Sequence, residues 1–317
     1  MIYNPLVSII IPVYNGANYM KIAIDSALAQ TYENTEVIVV NDGSQDNGKT
    51  EEIALSYGDK IRYFAKGNGG CASALNFGIS KMRGEWFSWL SHDDVYDPVK
   101  VEREISCVAE YQLDRENTII SCEAKIIDEA GNEISHPTTS DVGFYESNAF
   151  VKRLLFKPSL NGCGLLIPRS VLNKVGEFST NLKFMPDYEY WLRSALSGVD
   201  LYRIGNERLV MNRVHRAQVT VRESACYAEE TRKVSEMLFD KVTANGSTVV
   251  IKDFYTYSVI NGQKELREKY RGVLKARNEF RSALKIRSCV LKVKKLLRKS
   301  AARVYWKIVR KRRANES

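Results

Sequence analysis

Residues Trp86-Phe87-Ser88-Trp89-Leu90-Ser91-His92-Asp93-Asp94 read as a short apolar strand that ends abruptly in two carboxylates. Gly84 precedes the run and Pro98 follows it. An apolar stretch of this length, flanked by turn residues, suits a central strand covered on both faces of a parallel sheet. Open α/β sheets bind ligands just outside the carboxyl ends of their strands, and Asp93 and Asp94 sit at such an end. Two adjacent carboxylates there are costly unless a positive partner is present, and a divalent metal is one such partner. Either acid can alternatively cap the helix expected after Pro98. One cap uses one carboxylate, which leaves the second unexplained.

Working outward, Val7-Ser8-Ile9-Ile10-Ile11-Pro12 is expected as the first strand, Glu36–Val40 as the second and Ile61–Ala65 as the third. Helical patterns occupy residues 18–30, with Ile22, Ile24, Ala27 and Leu28 apolar, and residues 45–57 and 71–82. Strands alternating with helices indicate a parallel, doubly wound sheet. Beyond Pro98 the pattern predicts a helix to about Tyr111. Strands follow at 118–122 and 125–127, with a turn at 128–132. A helix at 147–156, a strand at 165–168 and a short helix at 169–175 come next. Residues 187–197 form an amphipathic helix with Tyr188, Trp191, Leu192 and Leu196 on one face. Strands are expected at 201–204 and 209–214 and a helix at 224–243. Residues 249–262 are ambiguous, and the chain reads as continuously helical from about Gln263.

The 317 residues, 44% of them hydrophobic, suffice for one large domain with appendages. The six cysteines are scattered and form no C-x-x-C pair, so neither a zinc site nor a disulfide framework is expected, and the usage fits a reducing compartment. No signal peptide is expected before Val7, and no run is long enough to span a bilayer. The formal charge of +9 is unevenly distributed. Residues 285–317 carry thirteen Lys/Arg and one Glu, about +12, which leaves about −3 for the rest. The body is near neutral and the basicity belongs to the tail.

Polar motifs stand at the strand ends. Pro12-Val13-Tyr14-Asn15-Gly16 closes the first strand. Asn41-Asp42-Gly43-Ser44 closes the second; it suits a tight turn, and its carboxylate can also accept hydrogen bonds from a ligand's base or ribose. Gly67-Asn68-Gly69-Gly70-Cys71-Ala72 opens a helix, whose N-terminus attracts phosphate. It matches a loose dinucleotide fingerprint, but on the third strand rather than the first, which argues against a dehydrogenase. Asn76 and Gly78 on that helix face a ligand or permit close packing. Asp187, at the start of its helix, suits an N-cap or a general base. Arg213-Val214-His215 offers a surface histidine or a ligand for metal or phosphate.

In this order the motifs resemble those of the inverting family-two glycosyltransferases with the GT-A fold, from residue 7 to about 220. The resemblance implies an α/β fold whose doubly wound, mostly parallel sheet has a Rossmann-like nucleotide-binding half (about 1–97) and an acceptor half (about 98–222). A helical extension (223–284) and a basic amphipathic tail (285–317) follow. It implies a nucleotide-diphospho-sugar donor, most often a UDP-sugar, with Mg²⁺ or Mn²⁺. Pro12, Tyr14, Asn15 and Asp42 would line the nucleobase and ribose pocket, Asn68 would lie near the base, and Asn76 on the donor side. Asp93 matches the last acid of the family's D-x-D element, which binds ribose and metal. His215 matches a later residue near the diphosphate and is the second metal ligand expected. Asp187 matches the catalytic base. Asn161, Gly162 and Cys163, with the 184–186 loop, are expected on the acceptor side. The sequence departs from the pattern at the first D-x-D acid, which is Ser91 here.

The activity so implied is transfer of a sugar to a hydroxyl of a glycan or lipid-linked acceptor, in polysaccharide synthesis. The alternative is a catalytically weak nucleotide-sugar-binding scaffold, motivated by Ser91. A nucleotidyltransferase lacks the early Gly-rich triphosphate loop. In the tail, Ile286, Val290, Val293, Leu297, Ala301, Val304 and Ile308 form one apolar stripe among Lys and Arg. A basic amphipathic helix of this kind suits a membrane surface; packing on the domain or on a second copy in a homodimer is the competing reading, and nucleic acid is not expected as a partner. The expected location is cytoplasmic, peripheral on the inner face of the membrane.

Overall fold

Strand β1 (Val7–Val13) is buried along its whole length. It lies between two parallel neighbours, β2 (Thr35–Asn41) and β4 (Trp86–Trp89), so both of its faces need cover. Ser8 is the one polar inward residue that is not at a strand end, and it is satisfied. Its hydroxyl donates to Glu36 at 2.5 Å and accepts from the Gly84 N–H at 2.9 Å. The computed structural model describes residues 3–135, 141–157, 160–215 and 224–279.

The N-terminal half follows the expected alternation. Helix α1 (Met20–Leu28) leads to β2, α2 (Lys49–Leu55) to β3 (Arg62–Ala65), and α3 (Cys71–Lys81) to β4. On α1 the buried stripe is Met20, Ala23, Ile24 and Ala27, at helical spacing. Ile22 and Leu28, also apolar, are exposed: Ile22 lies on the opposite face, and Leu28 is the last residue of the helix, at the edge of the stripe. Gly78 lets α3 lie close on the sheet; a Cβ there would come within 2.5 Å of Ile10.

The strand order is β3-β2-β1-β4-β9-β6-β10-β5. From β3 to β4 all pairing is parallel. The chain runs outward from β1 through β2 to β3, then returns to place β4 on the other side of β1. That reversal is a topological switch point, and it opens a crevice at the carboxyl ends of β1 and β4. Beyond β4 the sheet is mixed. Strand β9 (Leu165–Pro168) is antiparallel to both β4 and β6 (Thr118–Ile127), while β6 and β10 (Asp200–Arg213) are parallel. β5 (Val95–Tyr96) and β8 (Gly143–Tyr145) pair antiparallel with β10, and β7 (Glu133–Ser135) with β6. Two pairs of expected strands merge. Residues 118–127 are one strand, and 200–213 are one strand with register irregularities between Arg203 and Val210.

Helices α4 (Lys100–Glu110), α5 (Ser147–Phe156), α6 (Arg169–Val175) and α7 (Pro186–Leu196) cover this half. Under the end of β4 lies a buried ion pair, Lys100–Glu104 at 2.7 Å. Such a pair persists only when its remaining donors are satisfied. Lys100 also donates to the Ser88 hydroxyl at 3.1 Å and lies over the Tyr96 ring at 4.3 Å. Tyr96 in turn donates to the Trp89 carbonyl at 2.6 Å. The strand end that carries the acidic turn is thus tied from below.

The chain divides into two compact units, Met1–Val234 and Ser235–Ser317. Helix α8 (Ser224–Met237) runs across the division; the boundary expected at 222 lies outside the described residues. In the second unit, α9 (Phe239–Asn245), α10 (Thr248–Ile260) and α11 (Lys264–Ala276) pack around Phe254 and Tyr270, whose rings are 5.8 Å apart. The ambiguous 249–262 stretch is therefore helix α10, with the Ser247 hydroxyl accepting from Val250 N–H as its cap. The continuous helix expected from Gln263 stops at Ala276. Asn278 adopts φ +57°, a left-handed residue that ends a helix. The basic tail at 285–317 lies outside the described residues. Among them, no helix is long and apolar enough to cross a membrane.

Candidate functional site

The acidic turn after β4 is held by the last residues of β10. Arg213 N–H donates to Asp94 Oδ1 at 2.9 Å, and the Arg213 guanidinium donates to the Asp93 carbonyl at 3.0 Å and to the Asp128 and Glu129 carbonyls at 3.1 Å. Asn212 adds a 2.7 Å bond to Asp94 Oδ2. Asp94 is therefore a structural tie, buried and saturated with donors. Burial, then the neighbouring Asp93 charge, raises its pKa above the ordinary carboxylate value. Neither acid serves as the expected cap of α4, whose N-cap position is Val99.

Asp93 is turned the other way. Its Oδ2 lies 3.0 Å from His215 Nε2, across 122 residues of chain. His215 packs on the Tyr19 ring at 5.2 Å between centroids. The two expected metal ligands thus meet. Among the described residues no group of three or more His, Cys, Asp and Glu is arranged to hold a metal ion alone. A carboxylate and an imidazole nevertheless fit a cation whose other positions are filled by phosphate oxygens and water, as is usual for Mg²⁺ and common for Mn²⁺.

Ser91, at the departure from D-x-D, is engaged by the protein. Its N–H and hydroxyl both lie 3.3 Å from Cys163 Sγ, which also donates to Asp94 Oδ2 at 3.3 Å. The same contacts involve Asn161, Gly162 and Cys163, expected on the acceptor side. Cys163 is buried, and its thiol braces the acidic turn from behind. Gly162 lies against the Trp89 ring, where a Cβ would approach to 2.5 Å. Asn161 accepts from Cys163 N–H at 2.9 Å and donates to Asn212 Oδ1. The trio supports the acidic turn, with Gly162 and Cys163 buried and Asn161 partly exposed.

Pro12 is buried within β1, beside Val40. Tyr14 is 43% exposed just beyond it. Asn15, at φ +51°, links the first two loops: its N–H donates to Ser44 Oγ at 2.9 Å and its Oδ1 accepts from Gln45 N–H at 2.7 Å. Asp42 is buried and already accepts several donors. Lys66 Nζ lies at 2.7 Å, Gly70 N–H at 2.7 Å and Gly69 N–H at 3.1 Å. The glycine-rich loop is thus drawn over Asp42. Gly43, at φ +70°, permits this, since a Cβ there would meet the Asn68 backbone nitrogen at 2.7 Å. Asn68 itself is exposed.

Asn76 is held by the protein backbone. Its amide donates to the Phe178 carbonyl at 2.9 Å and accepts from the Phe178 N–H at 2.9 Å, clasping α3 to the segment before α7. Both ends of the amide are engaged by the Phe178 backbone, which accounts for Asn76 by packing, the alternative to a donor-side role. Asn76→Ala should therefore lower stability by about 1–3 kcal/mol, the cost of unsatisfied backbone groups, in urea denaturation. Its affinity for nucleotide, measured by titration calorimetry, should stay at the wild-type value.

Asp187 is the second residue of α7, after Pro186, and not its N-cap, which is Met185. Its side chain accepts from Tyr188 N–H at 2.8 Å and from its own N–H. It retains partial solvent exposure, yet protein surrounds it, and burial pushes its carboxyl up to about 6. A carboxylate with that value is suited to accept a proton near neutral pH.

Cys71, the first residue of α3, is exposed as a residue, but protein packs around its sulfur. Its thiol is pushed up to about 12, first by that desolvation and then by the charges of Asp187, Asp42 and Asp93. Sequence reading did not single out Cys71, Lys66 or Arg213. The β2–β3 register, Asn41 opposite Ala65, puts Lys66 beside Asp42 and is the signal that could have found it. Arg213 was signalled only by its nearness to His215.

A family profile described as Glycosyl transferase family 2 matches residues 8–176. Asp187 and His215 lie beyond that match. An uncharacterized glycosyltransferase of Rickettsia typhi is 50% identical over 219 residues, 69% of this chain and 67% of its own length. One from Rickettsia felis is 53% identical over 192 residues, 61% of this chain but 32% of the relative, so the match spans about a third of that protein. Chondroitin synthase of Pasteurella multocida is 44% identical over 113 residues, 35% of this chain and 11% of its own. Among solved structures, S. aureus TarS 1–349 in complex with UDP-GlcNAc superposes with TM-score 0.64 at 16% identity, over 88% of this chain and 79% of that one. Mannosyltransferase PcManGT from Pyrobaculum calidifontis, with GDP-Man and Mn²⁺, gives TM-score 0.57 at 17% identity, over 92% and 81%. At these identities the likeness is one of fold, and that fold is GT-A.

Proposed function

The chain belongs to glycosyl transferase family 2, and on that premise we propose that it moves a sugar from a nucleotide-diphospho-sugar to a hydroxyl of a glycan or lipid-linked acceptor, with inversion. The observation that carries this reading is the pairing of Asp93 with His215, 3.0 Å apart, just beyond the carboxyl end of β4 at the switch point of the sheet. In the proposed site this pair lies on the diphosphate side, with Asp42 as the nucleoside-side acid and Asp187 as the basic carboxylate. A UDP-sugar is the donor proposed, in keeping with the UDP-GlcNAc complex of TarS. Polysaccharide synthesis is the proposed setting, in keeping with the likeness to chondroitin synthase.

In the proposed reaction Tyr14 and the 66–70 loop enclose the nucleoside, and Asp42 orders that loop through Lys66, Gly69 and Gly70. Asp93 and His215 are the residues that would hold Mg²⁺ or Mn²⁺. When bound, the cation supplies charge neutralisation for the departing diphosphate. Asp187 takes the proton of the acceptor hydroxyl as that oxygen attacks the anomeric carbon. Attack and departure occur on opposite faces in one displacement, which inverts the configuration. Recruitment of the basic stretch 285–317 to an anionic membrane surface is proposed for a lipid-linked acceptor.

A thermal-shift screen with a panel of nucleotide sugars, with and without Mn²⁺, tests the donor class. Ligand at 100 times its Kd stabilises by about 2.7 kcal/mol. Stabilisation by UDP-sugars that is enhanced by Mn²⁺ is the expected result, and no response to any nucleotide sugar would sink the reading. The pH profile gives a second check. Asp187 acts ionised, so kcat/KM should rise with pH through about 6 and level off above it. A profile flat from pH 5 to 8 would remove the base from the rate.

A further inference from the structure

We propose that Glu230, on α8, is a positioning residue for the Asp187 base, holding by its carboxylate the three backbone N–H groups that lead into α7. Glu230 lies beyond the residues matched by the family profile. It is 7% exposed. Oε1 accepts from Lys183 N–H at 2.8 Å, and Oε2 accepts from Phe184 N–H at 2.8 Å and Met185 N–H at 3.0 Å. Met185 is the N-cap of α7, and its own side chain supplies no cap. The cap comes instead from a helix some 45 residues later in sequence. The neighbouring Thr231 hydroxyl contacts Met185 Sδ at 3.1 Å on the same side.

The first turn of a helix has N–H groups without intrahelical partners, and its direction is set by whatever satisfies the residues leading into it. Here a single charged group satisfies three successive N–H groups, two residues before the base. The rest of α7 is held independently. Arg193 bonds Glu189 at 2.7 Å and the Val175 carbonyl at 2.5 Å, and Tyr188 donates to the Leu154 carbonyl at 3.3 Å. Loss of Glu230 therefore leaves the helix in place and frees the loop 183–185 that sets where Asp187 points. The inference rests on the assignment of Asp187 as the base.

The test is a kinetic double-mutant cycle on the full chain with Glu230→Ala, Glu230→Gln and Asp187→Asn. A displacement of about 1 Å costs on the order of 10²-fold, so Glu230→Ala should lower kcat about 10–100-fold. Donor KM should stay within about twofold of wild type, since no donor-side group is touched. Glu230→Gln keeps one acceptor oxygen and should recover part of the loss. In the Asp187→Asn background Glu230→Ala should add less than about twofold, because Glu230 acts through Asp187. Wild-type kcat in Glu230→Ala, a raised donor KM with kcat intact, or a full multiplicative loss on top of Asp187→Asn would each overturn the proposal while leaving the base in place. If Glu230→Ala fails to fold, Glu230→Gln carries the cycle; failure of both to fold assigns Glu230 to stability and also overturns it. Full turnover by Asp187→Asn alone would be a failure of the base assignment instead, and the cycle separates the two cases.

Discussion

Asp187→Asn should reduce turnover about 10²–10⁴-fold, the usual contribution of a general base, while binding nucleotide sugar as tightly as the wild type. The substitution is nearly isosteric. The amide oxygen can still accept the Tyr188 N–H that the carboxylate receives at 2.8 Å, so the first turn of α7 is preserved. What is lost is the ability to take a proton. The variant should also lose the acid limb of the kcat/KM profile near pH 6, because that limb belongs to this carboxyl. Burial raises the carboxyl, so the sign also bears on stability: the folded state holds the proton more tightly than the unfolded chain. Stability contributed by the protonated form falls as pH rises from the unfolded value to about 6, and Asp187→Asn should be slightly more stable than wild type above that pH. Initial-rate assays across pH, paired with donor titration and thermal melts, read all three. Equal turnover by the Asn variant would remove Asp187 from the chemistry.

Asp93→Ala should lower turnover about 10²–10³-fold, the loss seen when one preorganised stabiliser of transition-state charge is deleted. Unlike the Asp187 variant, it should also lose the Mn²⁺-dependent part of nucleotide binding. Asp93 Oδ2 is 3.0 Å from His215 Nε2, so the substitution strips the one carboxylate from that pair. The fold should survive. The acidic turn is tied through Asp94, which receives Arg213 N–H, Asn212 and Cys163, and through the Asp93 backbone carbonyl, which Arg213 holds. A thermal-shift series with UDP and increasing Mn²⁺ should show metal-dependent stabilisation in wild type and none in Asp93→Ala. Persisting metal dependence would move the cation site elsewhere.

The parallel half of the sheet was readable because β1, β2 and β4 are short, largely buried apolar runs, and because polar turn residues (Asn15-Gly16, Asn41-Asp42-Gly43, Gly67-Asn68, Ser91–Asp94) follow each strand. The acceptor half was less readable. Strands β6 and β10 carry polar residues at Glu123, Lys125, Arg203 and Arg208, which breaks the apolar pattern that marks a strand. Tertiary partners satisfy some of those charges, as Arg203 and Glu123 do for each other at 3.4 Å. A reading of local periodicity has no access to that pairing. Asn76 is a related case. Its helix position left ligand contact and packing both open, and its clasp on the Phe178 backbone, 102 residues away, is set by tertiary structure.

Residue chemistry and spacing along the chain were enough to establish the α/β alternation and the polar turns at the strand ends, and to mark Asp93, Asp187 and His215 as candidates for holding a cation or moving a proton. Those properties are local: each depends on a side chain and a few neighbours. Which carboxylate faces the site and which is bound into the protein was decided by tertiary structure alone. Asp93 and Asp94 are adjacent and chemically identical, yet β10 arrives 118–122 residues later to bury Asp94 under Asn212 and Arg213 and to set His215 against Asp93. The same holds for Glu230, whose role exists only because α8 returns to the start of α7. Long-range hydrogen bonds choose among equivalent groups, and no spacing within one segment records that choice.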